Sequence, residues 1–268
     1  MNSLIKYQKP IEKEFMISNK KGEIVPFVLN KAQIDLLETS TGRDIILKAR
    51  QLGFSSLILA VLTCDFIFKD NQRCVVVSHE TEATQRLLDR VKFYISSFEA
   101  TNKIKIPLKY NSKNELANES NNSTFYIGTA ESRSFGRGDT ISGLHLSEFS
   151  FYPDPEKMLS GVMQAVIPNG KIFIETTANG FNFFKSFWDE AVRGERPFKT
   201  HFYNPSWGYT EEFLDTKKKE LGRLYQQEYC DTPETAFLTS GDMFFSGLAL
   251  QVFLKGIQKP IKEGVIYG

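Results

Sequence analysis

The stretch 48-KARQLGFSSLILAVL-62 decides how the chain is read. It follows the apolar run Ile45-Ile46-Leu47 and leads into a long apolar segment compatible with a helix. A strand over Asp44 to Lys48, a glycine-bearing turn and a helix over Ser55 to Phe68 make, in that order, a cradle for a nucleotide's phosphates. Such a turn offers converging backbone N–H groups and the positive end of a helix dipole. The standard phosphate loop, however, reads G-x-x-x-x-G-K-[ST], and here Phe54 follows Gly53 where lysine is expected. Lys48 and Arg50 are the nearest replacement cations, and arginine can grip phosphate oxygens bidentately. Ser55 and Ser56 open the helix, where a serine hydroxyl normally helps hold Mg²⁺. The plain alternative is a strand-to-helix turn with no ligand at all.

Outward from this stretch, short β-type runs alternate with helical patterns. Arg73 to Ser78 reads as a strand, and Thr81 to Phe98 as a helix with Leu87, Leu88, Val91 and Ile95 on one face. Asn/Ser-rich 111–123 reads as loop or hairpin. Strands follow at Thr124 to Gly128, Gly143 to Ser147 and Lys171 to Thr176, with helices over Pro155 to Val166 and Phe183 to Val192. Their successive apolar residues suit strands buried on both faces. The fold class expected is α/β, with a mainly parallel sheet flanked by helices. Beyond about Tyr203 the sequence turns polar and helix-rich, so a small helical subdomain is expected beside the sheet. The expected division is 1–200 for the core, 201–245 for the helical subdomain and 246–268 for a linker toward a further domain.

Composition narrows the function classes. Hydrophobic residues make up 41% of the 268, enough for one large core with a small appendage. A net charge of +1 gives no global basic field, so any nucleic-acid contact has to be local. Three cysteines and three histidines without metal-ligand spacing argue for a reducing compartment and against a zinc site. The N-terminus has no apolar signal core, and no apolar run reaches the roughly 18 residues of a membrane span. A cytosolic protein without a membrane partner is expected.

A nucleotide hydrolase also needs a carboxylate to orient water. The run 143-GLHLSEFSF-151 supplies Glu148 at a strand end, with Ser147 where an aspartate would ordinarily assist Mg²⁺, so metal support from this strand is weak. Upstream, 131-ESRSFGRGDTIS-142 presents Arg133 and Arg137 on a glycine-flexed loop, suited to phosphate, to DNA or to an arginine finger. A third strand ends in 175-ETTANG-180, where Thr177 and Asn179 stand at the carboxyl end at which α/β sheets bind ligands. Singly, each has a plain reading: an exposed carboxylate, a solvated basic loop, an Asn-Gly turn. Three strand ends with complementary phosphate chemistry favour a phosphate-loop nucleotidase.

Assembled, these residues resemble the ATPase domain of the large terminase subunit, the DNA-packaging motor of tailed bacteriophages. The resemblance runs from about Val25 to Phe245. Arg50 to Ser56 matches the family's R-Q-x-G-x-[ST]-[ST] loop, some members of which lack the lysine. It implies an ASCE-type P-loop fold with a helical lid, and ATP with Mg²⁺ as ligands. ATP would lie on Lys48, Arg50, Gln51, Leu52, Gly53, Phe54, Ser55 and Ser56, with Gln33 of 27-FVLNKAQIDLL-37 at the adenine. Glu148 would be the general base, Arg50 the replacement cation, and Arg137 the finger reaching a neighbour's ATP, with Arg133 in reserve. Thr176, Thr177 and Asn179 would couple hydrolysis to motion, and Ser55, with weak help from Ser147, would face the metal. The stretch 233-PETAFLTSGDMFF-245 resembles the family's lid exit before its nuclease domain. The implied partners are double-stranded DNA, the portal protein, the small terminase subunit and further copies in a ring, in the cytoplasm of an infected bacterium. No DNA cleavage is expected from this chain. Two rivals stay open: a helicase-like motor ATPase, and a non-hydrolysing nucleotide-binding module.

Overall fold

The computed structural model describes residues 4–19, 21–130, 140–222, 225–240, 253 and 256. The sheet grows from the strand that precedes the glycine turn. This strand, Arg43–Lys48, is buried on both faces from Asp44 onward, as its unbroken I-I-L run requires. In chain order the strands are β1 Met16–Ser18, β2 Ile24–Pro26, β3 Arg43–Lys48, β4 Arg73–Ser78, β5 Leu108–Asn111, β6 Glu115–Asn118, β7 Ser123–Thr129, β8 Ile141–Ser147, β9 Val166–Thr176 and β10 Lys199–Tyr203. The first two form a separate antiparallel pair; the other eight share one sheet in the order β10-β3-β9-β8-β4-β7-β6-β5. Pairing is parallel from β10 across to β7 and antiparallel at the β7-β6-β5 end. Strand β3 and strand β8, which leads into Glu148, are separated by β9, the inserted strand that the expected ASCE-type arrangement denotes.

The helices are α1 Gln8–Glu14, α2 Lys31–Thr39, α3 Phe54–Phe68, α4 Thr81–Asn102, α5 Pro155–Met163, α6 Phe183–Val192, α7 Glu211–Leu221, α8 Tyr225–Glu228 and α9 Pro233–Thr239. One core layer gathers α1 to α4 on one face of the sheet; the other gathers α5, α6 and α9 on the opposite face. Because α3 is covered all round, twelve of its fifteen residues are buried, including Thr63 and Asp65. Thr63 Oγ1 donates back to the Leu59 carbonyl at 2.7 Å, so the hydroxyl is satisfied within the helix. Close approach of α3 to β8 depends on Gly143, where a Cβ would meet Leu62 Cδ2 at 2.6 Å.

Several boundaries differ from the sequence reading. The helix expected to Val166 ends at Met163, because β9 begins at Val166 to pair with Ile141 of β8. Strand β10, not anticipated, carries the sheet to Tyr203, past residue 200 where the core was expected to end. The 111–123 stretch resolves into part of the β5-β6-β7 meander. Among the described residues, no helix is long and apolar enough to cross a membrane.

Candidate nucleotide site

The carboxyl ends of β3, β9 and β8 lie side by side and carry Lys48, Glu175–Thr176 and Ser147–Glu148. Between β3 and α3 the chain turns through two positive-φ residues, Gln51 at 57° and Gly53 at 83°. Glycine is required at the second: φ is left-handed, and a Cβ would lie 2.8 Å from Gln33 Nε2. Helix α2 braces the loop from below. Asn30 and Gln33 form a reciprocal capping box, Gln33 Nε2 donates to the Gly53 carbonyl at 2.8 Å, and Asn30 Nδ2 donates to that of Leu52 at 3.1 Å. Phe54, in the lysine's place, is fully buried, its ring 4.5 Å from that of Tyr203 on β10. That side chain belongs to the core.

The positive charge at the base of the site is Lys48. Its ammonium lies 3.1 Å from Glu148 Oε1 and 3.2 Å from Glu175 Oε2, with its side chain only 5% exposed. Burial opposes its charge, but the two carboxylates outweigh burial and hold its pKa above the ordinary lysine value. Glu175 is fully buried. Its Oε1 accepts from Ser55 Oγ at 2.7 Å and Ser147 Oγ at 2.8 Å, and lies 3.3 Å from His145 Nε2. Burial favours the neutral acid, yet Lys48 and the His145 hydrogen bond prevail and hold the carboxyl well below the usual range. His145 Nδ1 has no hydrogen-bond partner among the described residues, which fits a ring that donates from Nε2.

Glu148 itself adopts the left-handed conformation, φ 54° and ψ 47°, which a non-glycine residue holds only where its surroundings over-determine it. Its Oε2 accepts from Thr177 N at 3.4 Å, so both its oxygens are oriented from β3 and β9. These groups open into a cleft of about 810 Å³, walled by the Arg50-to-Ser56 loop and facing Glu148, Thr177 and Phe151. Arg90 of α4 also lines it and donates to Ser56 Oγ at 3.1 Å.

The expected site residues therefore fall into groups. Lys48, the loop residues, Glu148 and Thr177 share the cleft. Arg50 is at its rim, largely exposed, with Nε 2.8 Å from Glu228 Oε2 of α8. Gln33 and Ser147 are buried behind the wall; Gln33 braces the loop and Ser147 hydrogen-bonds Glu175. Thr176 is bound to Ser150, with 2.6 Å between hydroxyls, and Asn179 Nδ2 donates to the Ser150 carbonyl at 3.3 Å. The turn beyond them meets α9's end, where Gly180 N donates to Ser240 Oγ at 2.8 Å. Arg133 and Arg137 lie outside the described residues. Sequence reasoning missed Glu175, His145 and Arg90. A carboxylate inside an otherwise apolar buried strand, as in 172-IFIE-175, was the available signal for the first.

The donor set fits a magnesium nucleotide. It offers backbone N–H groups at a glycine cradle, the three cations Lys48, Arg50 and Arg90, and hydroxyl oxygens whose hydrogens are already committed to Glu175.

Comparison with solved structures places the fold. The large terminase of HK97 bacteriophage superposes with a TM-score of 0.66 at 17% identity, covering 84% of this chain and 53% of that one. The ATPase domain of the Thermus phage P74-26 large terminase gives 0.60 at 17%, covering 75% and 92%. A large terminase from a thermophilic bacteriophage gives 0.59 at 14%, covering 75% and 52%, and has also been solved with ADP and with ATP-gamma-S. The chain thus spans about half the length of the first and third of these proteins. Residues 45–251 match the family described as terminase large subunit, T4likevirus-type, N-terminal, and the chain belongs to that family.

Proposed function

We propose that the cleft binds ATP with Mg²⁺ and hydrolyses it, and that the chain is the motor domain with which a phage large terminase drives double-stranded DNA into a procapsid. The observation that carries the catalytic reading is the placement of Glu148. It is held in a strained backbone conformation at the cleft wall, facing the glycine loop, with its carboxylate oriented by Lys48 and Thr177. Ser55 would help hold Mg²⁺, which would supply charge neutralisation at the phosphates.

The chain's own residues do the rest. Loop N–H groups from Gly53 to Ser56 hold the phosphates at the start of α3. Glu148 accepts a hydrogen bond from the attacking water and takes its proton as the γ-phosphorus–oxygen bond to ADP breaks. Lys48, anchored at the end of β3, answers the charge that Phe54 does not. Arg50 joins it by exchanging Glu228 for phosphate, which releases α8 from the loop and so makes the helices α7 to α9, read here as the lid, responsive to nucleotide. Arg137, supplied by an adjacent copy, completes the charge stabilisation, with Arg133 in reserve. Thr176, Thr177 and Asn179 pass the change in the Glu148 turn toward Ser240 at the end of α9. The portal protein, the small terminase subunit and further copies in a ring are the partners this role requires, in the cytoplasm of an infected bacterium. The segment after residue 245 leads toward the nuclease half of a full-length terminase.

The test pairs binding with turnover. Glu148→Gln is expected to retain ATP-gamma-S binding measured by calorimetry while hydrolysis falls at least 10²-fold, the usual yield of a positioned base. Unchanged hydrolysis in Glu148→Gln would sink the assignment. ATP-gamma-S binding without wild-type turnover would favour the non-hydrolysing module instead.

A further inference from the structure

The resemblance leaves a chemical gap. An aspartate is expected at the end of β8 to support the metal, and Ser147 stands there instead. Yet the site does not lack a second carboxylate. On the adjacent parallel strand, Glu175 is the register partner of Ser147. Its carboxylate reaches back across the ladder to the Ser147 hydroxyl at 2.8 Å and on to Ser55 at 2.7 Å.

We propose that Glu175 carries the metal-side carboxylate function of this site, moved one strand over from the position that Ser147 occupies. This rests on the reading of the cleft as a Mg²⁺–nucleotide site. Glu175 is a positioning residue, because it is fully buried and touches the cleft only through other groups. An ionised carboxylate can only accept hydrogen bonds. Each serine that donates its hydrogen to Glu175 therefore turns its lone pairs elsewhere, and for Ser55 elsewhere includes the cleft it lines. A hard cation needs that presentation from a hydroxyl, and a carboxylate behind the ligand raises its donor strength. The opposite oxygen of Glu175 faces Lys48 at 3.2 Å, so one side chain fixes both the metal-side hydroxyl and the cation at the base of the site.

The same geometry explains why one acid suffices. Residues 147 and 175 face each other across one ladder rung, with Lys48 the cation there and Glu148 already drawing on it. Two buried carboxylates on that rung would repel, and one would be forced neutral. The two positions are expected to exchange their roles: an acid at 147 with a hydroxyl at 175, or the arrangement seen here.

The experiment is a calorimetric titration of ATP-gamma-S in Mg²⁺ and in EDTA, with thermal unfolding alongside, on wild type, Glu175→Gln, Ser147→Asp and the double variant Ser147→Asp/Glu175→Ser. Wild type is expected to bind more tightly with Mg²⁺. Glu175→Gln should weaken the Mg²⁺-dependent gain about 10–100-fold while the EDTA affinity changes little, as for other groups behind a metal ligand. Ser147→Asp alone should lower the unfolding temperature, and the double variant should restore both that temperature and the Mg²⁺ gain. A Glu175→Gln protein that keeps the full gain overturns the inference and leaves the nucleotide reading intact. Wild type that binds no nucleotide in either buffer overturns both. Should Glu175→Gln fail to fold, the double variant decides: if it neither folds nor recovers the gain, the acid cannot move between the strands and the inference falls.

Discussion

Phe54 occupies the place of the lysine in the standard loop, yet it does different work. Its ring is buried against Tyr203, whose hydroxyl donates to Asp35 Oδ2 at 2.8 Å, so position 54 locks α3 to the sheet edge and to α2. Phe54→Lys, which would put a lysine directly after the loop glycine, is therefore expected to destabilise the protein by at least about 3 kcal/mol. Loss of a core phenyl costs ~3–5 kcal/mol, and a buried unpaired ammonium adds to it. ATP-gamma-S affinity should not rise. Urea unfolding and calorimetry check this; a variant as stable as wild type that binds nucleotide more tightly would contradict the role given to Lys48. The loop and Glu148 were legible in sequence because a strand, a glycine turn and a helix signal locally. Glu175 was not, since its meaning comes from four donors on two strands and one helix that meet only in the fold. Gln33, which the resemblance sets at the adenine, also has a task within the fold: its amide caps α2 and holds the Gly53 carbonyl.

At the scale of elements, the contact between loop and helices is the one most open to test. Arg50 and Glu228 join the glycine loop to α8 by an ion pair at the surface, with the arginine largely exposed and the glutamate partly so. Such pairs are worth about 0–1 kcal/mol, so phosphate can displace Glu228 at little cost. Glu228→Ala should leave the unfolding temperature nearly unchanged and tighten ATP-gamma-S binding by up to about fivefold, the equivalent of 1 kcal/mol. Weaker binding would mean that Glu228 helps hold the nucleotide. The elements with strong local patterns, β3, β4, α3 and α4, were readable from their apolar runs and stripes. Strand β10 was not: 199-KTHFY-203 is polar along much of its length, and pairing with β3 makes it a strand. Strand β9 exceeds its apolar run for a similar reason. Pairing with β8 extends it back through Pro168 and Gly170 to Val166, residues that alone signal a turn.

For the whole molecule, the sheet order places the three strand ends of the candidate site together and leaves the helices α7 to α9 beside them. Fold class and family were legible because the motifs recur at the right strand ends. The pairing order that sets β9 between β3 and β8 was legible only through the resemblance and its ASCE-type fold, since non-local pairing specifies it and no local pattern does. If Arg137 acts on a neighbour's nucleotide, catalysis belongs to the assembly rather than to the single chain, and activity must depend on how often copies meet. The most direct measurement is steady-state ATP hydrolysis against protein concentration, for wild type beside Glu148→Ala and Arg137→Ala. The expected result is a specific activity that rises with concentration in wild type and is lost in both variants, with recovery when the two variants are mixed. Wild-type protein that binds ATP but never turns it over at any concentration, or a Glu148→Ala protein as active as wild type, would contradict the account.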